Sequence, residues 1–328
     1  MQKILGLGNA LVDIMTRLED DTLLERFFLP KGSMQLVDKH LSDRILHDTS
    51  HLPKTLASGG SAANTIHGLA KIGIETGFMG KICFDEYGHF FLNDLKKNKI
   101  QPHLSYNDTE TGRSIALVSP DSERTFATYL GASVELTAND LYPGLFDGYG
   151  YIHIEGYMVQ NHELLATAVR MAKEKGLIIS LDLASYNIVD ENLAFLHSIV
   201  RDYVDIVFAN EDEAKAYTNQ DPEKALHSIA EECETAIIKL GEKGSFIKHH
   251  DEVLPIMGYK INPVDTTGAG DLYAAGFLYG LVKSFSLEKC GRIASILSAK
   301  VIEVIGSKMS QQKWDETYTI LRSEALLL

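Results

Sequence analysis

The chain has 328 residues, 45% hydrophobic and 23% charged, which is the balance of a folded globular protein and excludes long disordered or low-complexity tracts. A formal charge of −14 and a pI near 5.3 exclude nucleic acid and an anionic membrane as the main partner, since both call for a basic face. Three cysteines, Cys83, Cys233 and Cys290, stand far apart without CxxC spacing, so neither a disulfide framework nor a zinc cluster is expected, and a reducing cytoplasm fits best.

In chain order, Met1 leads straight into Lys3-Ile4-Leu5-Gly6, without the basic, apolar and small-residue order of a signal peptide. The first predicted strand covers 3–8. Weak periodicity follows to about residue 50, and then Gly59-Gly60 opens a helix from 61 to about 72 that Gly73 ends. The segments 12–37 and 104–130 alternate polar and apolar residues in strand fashion. The first of them interrupts an early βα unit, so both are read as a small β element over a ligand crevice, serving either as a lid or as a purely structural sheet. Beyond residue 150, strands at 152–154, 177–181, 204–208 and 236–240 alternate with helical patterns such as 161–175. That alternation predicts an α/β fold, a doubly wound, mostly parallel sheet with helices on both faces. Asp182, Asn210 and Gly241 then fall just past strand carboxyl ends, where open α/β sheets hold ligands. The apolar run 272–282 is half the length needed to cross a bilayer and reads as a buried helix. The whole chain, 1–328, is expected to be one domain with its small β lid.

The strongest chemical signal is Asp265-Thr266-Thr267-Gly268-Ala269-Gly270-Asp271, followed at once by an apolar helical run. Small residues at Gly268, Ala269 and Gly270 let backbone N–H groups at a helix start approach an anion, and the helix dipole adds to the attraction. Asp271, in the first turn, is placed to take a proton from a hydroxyl attacking a phosphoryl group held there, and the dipole is expected to keep it ionised. The alternative is an ordinary turn with a helix-start carboxylate. No GxxxxGK[ST] run is present, and Gly6-Leu7-Gly8 lacks the third glycine of GxGxxG. The twelve histidines show no HxH or HExxH spacing.

With that run in view, the chain resembles the ribokinase-like (PfkB) family of carbohydrate and nucleoside kinases from residue 4 to about 305. Gly8-Asn9-Ala10-Leu11-Val12-Asp13 is similar to the family's first-strand motif and Gly59-Gly60-Ser61-Ala62-Ala63-Asn64 to its di-glycine motif. Asn210-Glu211-Asp212-Glu213 resembles its NxxE motif, and Leu240-Gly241-Glu242-Lys243-Gly244 its nucleotide-side loop. Gly8 to Ile14, together with Tyr129-Leu130-Gly131-Ala132-Ser133, is most similar to the adenosine-kinase-like branch.

The resemblance implies ATP as phosphoryl donor, with Mg²⁺, and a primary hydroxyl of a nucleoside or sugar as acceptor. It places Asn9, Asp13, Gly59, Gly60 and Asn64 against the acceptor, with Glu155 as a further carboxylate there or a solvated strand end. Asn210, Glu213, Gly241, Gly244 and Thr266 fall to the nucleotide, Glu213 reaching Mg²⁺ through water, which suits an ion that dehydrates reluctantly. Asp265 and Thr267 are implied ligands of a monovalent cation such as K⁺. Lys239 stands where many relatives carry a hydroxyl. Arg113, in the expected lid, is read as either a phosphate-neutralising group or an ordinary surface residue. A free-sugar kinase, and a non-catalytic nucleotide or sugar sensor, are the competing functions; the assembly is expected to be a monomer or a dimer paired through the lid.

Overall fold

A computed structural model describes residues 2–121 and 123–327; Met1, Ser122 and Leu328, which fall within the expected domain and lid, lie outside the described residues. In chain order the strands are β1 (Lys3–Leu7), β2 (Leu11–Arg17), β3 (Met34–Leu36), β4 (Lys54–Gly59), β5 (Thr76–Cys83), β6 (Ile100–Asn107) and β7 (Thr111–Val118). They continue with β8 (Arg124–Gly131), β9 (Tyr149–Glu155), β10 (Ile178–Asp182), β11 (Ile206–Asn210), β12 (Thr235–Lys239), β13 (Ser245–His249) and β14 (Glu252–Ile256).

Nine of them form one sheet in the order β14-β13-β12-β11-β10-β9-β1-β5-β6, parallel from β12 to β6 and closed at one edge by the antiparallel β13 and β14. The parallel strands read as continuous apolar runs because both faces are covered. Successive residues supply opposite faces: Phe208 and Ile237 join the core that holds the helix Ala269–Val282, while Val207 and Ile238 join the core under Leu165 and Leu196. The helix Ala269–Val282 is buried nearly all round, which explains its uniform hydrophobicity. The α/β fold expected from the alternation is the one observed. Predicted strand bounds are off by up to three residues, as at 152–154, which is Tyr149–Glu155.

β3, β8, β7, β2 and β4 form a second sheet around a small core of Leu18, Leu24, Phe27, Ile45, Ile115 and Leu117. Both expected inserts contribute to it, but their boundaries differ. Residues 100–107 pair with β5 in the large sheet, and β4, whose Ala57-Ser58-Gly59 end carries little strand signal, pairs with β2 so that Asp13 faces Ala57. The link before β4 contains the helices Thr22–Arg26 and Lys39–Asp48. The pairing of β2 with β4 brings the di-glycine motif beside Asp13, and β1, β9, β10, β11 and β12 all end on the side where that junction lies.

Candidate active site

The helix Ala269–Val282 begins after Gly268, whose φ of +79° is a conformation L side chains rarely adopt, and the Ala269 N–H turns back to the carbonyl of Thr266 at 3.2 Å. Asp271 lies in its first turn and is held from across the molecule. Ser61 Oγ donates to Asp271 Oδ1 at 2.7 Å and Asn64 Nδ2 donates to Oδ2 at 2.9 Å. Ser307 Oγ in turn donates to Asn64 Oδ1 at 3.0 Å, and Thr65 Oγ1 donates to the Asp271 carbonyl at 3.1 Å. Ser61, Asn64 and Thr65 share the helix Ser61–Lys71, which starts at Gly60 with φ +100°; a Cβ there would collide with the carbonyl of Asn9. Burial pushes the Asp271 carboxyl up to about 6, against the hydrogen bonds from Ser61 and Asn64 that favour its charge. Desolvation is the largest effect on this carboxyl, which still stays mostly ionised at pH 7.

On one side of Asp271 stand Asn9 and Asp13. Asn9 is fastened to Glu155, whose Oε1 accepts from the Asn9 N–H at 3.0 Å and from Nδ2 at 2.6 Å, while Oε2 accepts from the Ala62 N–H at 3.0 Å. Glu155 is 1% exposed, so it is not a solvated strand end; three of its acceptor sites are taken by β1 and the start of the Ser61 helix. The Asn9 Oδ1, buried, has no hydrogen-bond partner among the described residues. Gly59 makes room for the Asp13 carboxylate, which a Cβ at that position would strike. Burial pushes Asp13 up to about 7, with the Lys308 ammonium pulling the other way. A cavity of about 800 Å³ opens from Asn9, lined by the apolar Leu130, Val134, Leu136 and Met158 and by the polar Asn161, His162 and Asn192.

On the other side a crevice of about 600 Å³ is lined by Asn210, Glu213, Lys239, Gly241, Gly244 and the Ala269–Asp271 turn. Asn210 and Glu213 cap a helix reciprocally: Asn210 Oδ1 accepts from the Glu213 N–H at 2.9 Å, and Glu213 accepts from the Asn210 N–H and Nδ2 at 2.7 and 2.6 Å. The plain cap and the crevice-facing pair are one arrangement. Burial pushes Glu213 up to about 7. Lys239 Nζ donates to Asp182 Oδ2 at 2.8 Å. Among the described residues no group of three or more His, Cys, Asp or Glu is arranged to hold a metal by itself. An ion arriving on nucleotide phosphates, and touching Glu213 only through water, fits this donor set.

The monovalent cation fits less well. Asp265 Oδ1 accepts from the Thr267 N–H at 3.0 Å and from its hydroxyl at 2.8 Å, and Oδ2 accepts from the Gly306 N–H at 2.6 Å and from the Arg124 guanidinium on β8. The carboxylate expected to bind a cation already has one, supplied by the chain. Arg113 is corrected in a similar way. It is 2% exposed, pairs with Asp43 and Glu110, donates from Nε to the Ser42 hydroxyl at 2.8 Å, and lies over the Tyr87 and Tyr129 rings, so it ties the small sheet together.

Thr266 contributes its carbonyl to the turn. Ser61, Asp182, Arg124 and Ser307 were missing from the sequence-based set. Ser61 was in hand inside the di-glycine motif and Asp182 at a strand end; Arg124 and Ser307 carried no local signal.

The model of the pfkB family carbohydrate kinases matches residues 42–314. The chain belongs to that family. As a pfkB kinase it transfers a phosphoryl group from ATP to a sugar or nucleoside. Its fold is similar to that of a probable sugar kinase from Rhizobium etli (TM-score 0.87, 32% identity, 99% of each chain). It is also similar to adenosine kinase from Sinorhizobium meliloti (TM-score 0.86, 33% identity, 97% of this chain and 99% of that one). Among curated sequences, the 5-dehydro-2-deoxygluconokinase of Listeria monocytogenes is 29% identical over 80% of this chain and 86% of its own length. No helix among the described residues is long and apolar enough to cross a membrane.

Proposed function

We propose that this pfkB kinase phosphorylates the primary hydroxyl of a nucleoside of the adenosine type. The observation that carries the reading is the cavity of about 800 Å³ that runs from Asn9 along Leu130, Val134, Leu136 and Met158. A free sugar presents hydroxyls all round and would leave the apolar part of that wall wet, while the polar Asn161, His162 and Asn192 on the same wall can meet the nitrogens of a base. A nucleobase buries it, and apolar contact of this kind contributes roughly 25 cal/mol per Å². Glu155, the carboxylate that spoke for a free sugar, is consumed internally. The 33% identity to the Sinorhizobium adenosine kinase supports the same choice.

In the proposed mechanism the unpartnered Asn9 Oδ1 and the Asp13 carboxylate accept from ribose hydroxyls, a task suited to groups with free lone pairs. The 5′-oxygen attacks the γ-phosphorus while the bond to the β,γ-bridging oxygen breaks, and Asp271 takes the hydroxyl proton. Ser61 and Asn64 hold Asp271 at the angle this transfer needs. The backbone at 268–270 cradles the moving phosphoryl group. Mg²⁺ bound with ATP would offset phosphate charge, with Glu213 holding its water. The small sheet, with Leu130 on β8 at the cavity wall, acts as the lid. The unpaired thiols Cys83, Cys233 and Cys290 agree with a cytoplasmic setting.

ADP release from Mg·ATP, measured with adenosine, inosine, ribose, fructose and no acceptor in parallel, tests the reading. Fastest turnover with adenosine is expected. Preference for ribose or fructose would overturn the nucleoside assignment and leave the phosphoryl transfer in place.

A further inference from the structure

Lys239 is the last residue of β12 and Asp182 the last of β10, with β11 between them. The lysine therefore reaches over a strand, a distance of roughly 9.6 Å between strand axes, to place its ammonium 2.8 Å from Asp182 Oδ2. Asp182 Oδ1 is itself fixed by the Ala184 N–H at 2.9 Å. The same ammonium lies 3.2 Å from where a Cβ on Gly270 would stand, so it rests against the backbone of the anion cradle, and only a glycine leaves that approach fully open. Both members of the pair line the crevice shared with Glu213 and Asp271. A buried ion pair adds little net stability over apolar packing. Its presence here sets one fixed positive charge where anionic oxygens gather.

We propose that Lys239 is a catalytic residue: its ammonium, aimed by Asp182, contacts the transferring phosphoryl group and neutralises the charge on its oxygens. This rests on the reading of the crevice as the nucleotide site. Asp182 is a positioning residue. Lys239 keeps its proton throughout; the only proton that moves is the acceptor's, to Asp271. Where many relatives have a hydroxyl, this chain places a full charge, and burial, which opposes that charge, is outweighed by Asp182 and Glu213, which hold the ammonium above the ordinary lysine range.

The test compares Lys239→Met, Asp182→Asn and the double variant, each assayed with the acceptor the wild type prefers. A lysine that merely neutralises Asp182 predicts that the double variant, which leaves no lone buried charge, works like wild type. A lysine on the phosphoryl group predicts that kcat falls about 10²–10³-fold in both Lys239→Met and the double variant. Acceptor KM and ADP affinity should stay within about threefold, because a contact made in the transition state acts on kcat. Asp182→Asn should lose less than either. If Lys239→Met does not fold, the double variant, which leaves no lone buried charge, carries the comparison. A double variant within about threefold of wild-type kcat overturns the proposal. Asp271→Asn run alongside separates the two failures: if it too kept full turnover, the site reading itself would be wrong.

Discussion

The two halves of the crevice are built differently. On the acceptor side the hydrogen bonds run to residues far along the chain: Asn9 to Glu155, Ala62 to Glu155, Asn64 and Ser61 to Asp271. One acceptor lone-pair site, Asn9 Oδ1, is left open. On the nucleotide side the Asn210–Glu213 cap is local, spanning three residues, and the Lys239–Asp182 pair is the long-range tie beside it. The contrast follows the chemistry. A hydroxyl must meet the base and the phosphorus at a set angle, so its side is rigid before anything binds. A triphosphate brings its own charge and metal and needs donors gathered at one end of its cleft.

If that contrast is right, the largest loss comes from the residue both halves share. Asp271→Asn keeps the shape and the hydrogen bond from Ser61 but removes the base, and kcat should fall about 10²–10⁴-fold with ATP and acceptor dissociation constants little changed. Its pH profile sharpens the point. The base must be ionised, so with Asp271 at about 6, kcat at saturating acceptor should be flat above neutrality and fall tenfold per unit as pH drops below 6. Asp13, at about 7, should act on acceptor KM instead. A kcat that stayed level down to pH 5 would remove Asp271 from the role.

A smaller but broader loss is expected at Glu155, which touches no substrate in this arrangement. Glu155→Gln replaces a carboxylate oxygen with an amide that cannot accept, leaving a buried N–H of Asn9 or Ala62 unpaired at about 1–3 kcal/mol. Urea unfolding should show that loss, and kcat/KM for the acceptor should fall roughly tenfold as Asn9 loosens. Activity lost without any change in stability would mean that Glu155 meets the acceptor directly.

Much of this was legible in the sequence where function and local pattern coincide. The Asp265–Asp271 run marks the observed helix start after Gly268, and the cradle and base proposed for the site sit in the same seven consecutive residues. The parallel half of the sheet was readable because strands buried on both faces must be apolar throughout. The small sheet was harder. β4 ends in Ala57-Ser58-Gly59, whose extended shape is imposed by pairing with β2 and by the need for Gly59 against Asp13. Glu155 and Arg124 were misread or missed because a charged residue with no local partner looks exposed, its partner being decided by topology; Arg113 has Glu110 three residues away, but its burial is likewise set by the fold. Asp271 shows the limit for energetics, since its helix position argues for a low pKa while burial, invisible in the sequence, sets the outcome.

The smallest expected effect concerns potassium, and it again separates regions, here the small sheet and the cradle it overhangs. Arg124 delivers a guanidinium from β8 to Asp265, both partners 9% exposed, so the carboxylate that a monovalent cation would need is already neutralised. Burial would push the Asp265 carboxyl up, but the Thr267 and Gly306 N–H groups and Arg124 together hold it below the usual range. Replacing KCl by tetramethylammonium chloride at equal ionic strength should therefore change kcat/KM by less than about twofold, since a planar guanidinium with several donors is not displaced by a weakly bound point charge. Arg124→Ala should expose the carboxylate, lower activity and make the remainder respond to K⁺, with a K⁺-dependent rise in Tm that the wild type does not show. Strong potassium activation of the wild type would mean that Arg124 leaves Asp265 when the lid moves during turnover, and the cradle would then be governed by a mobile ion instead of a built-in one.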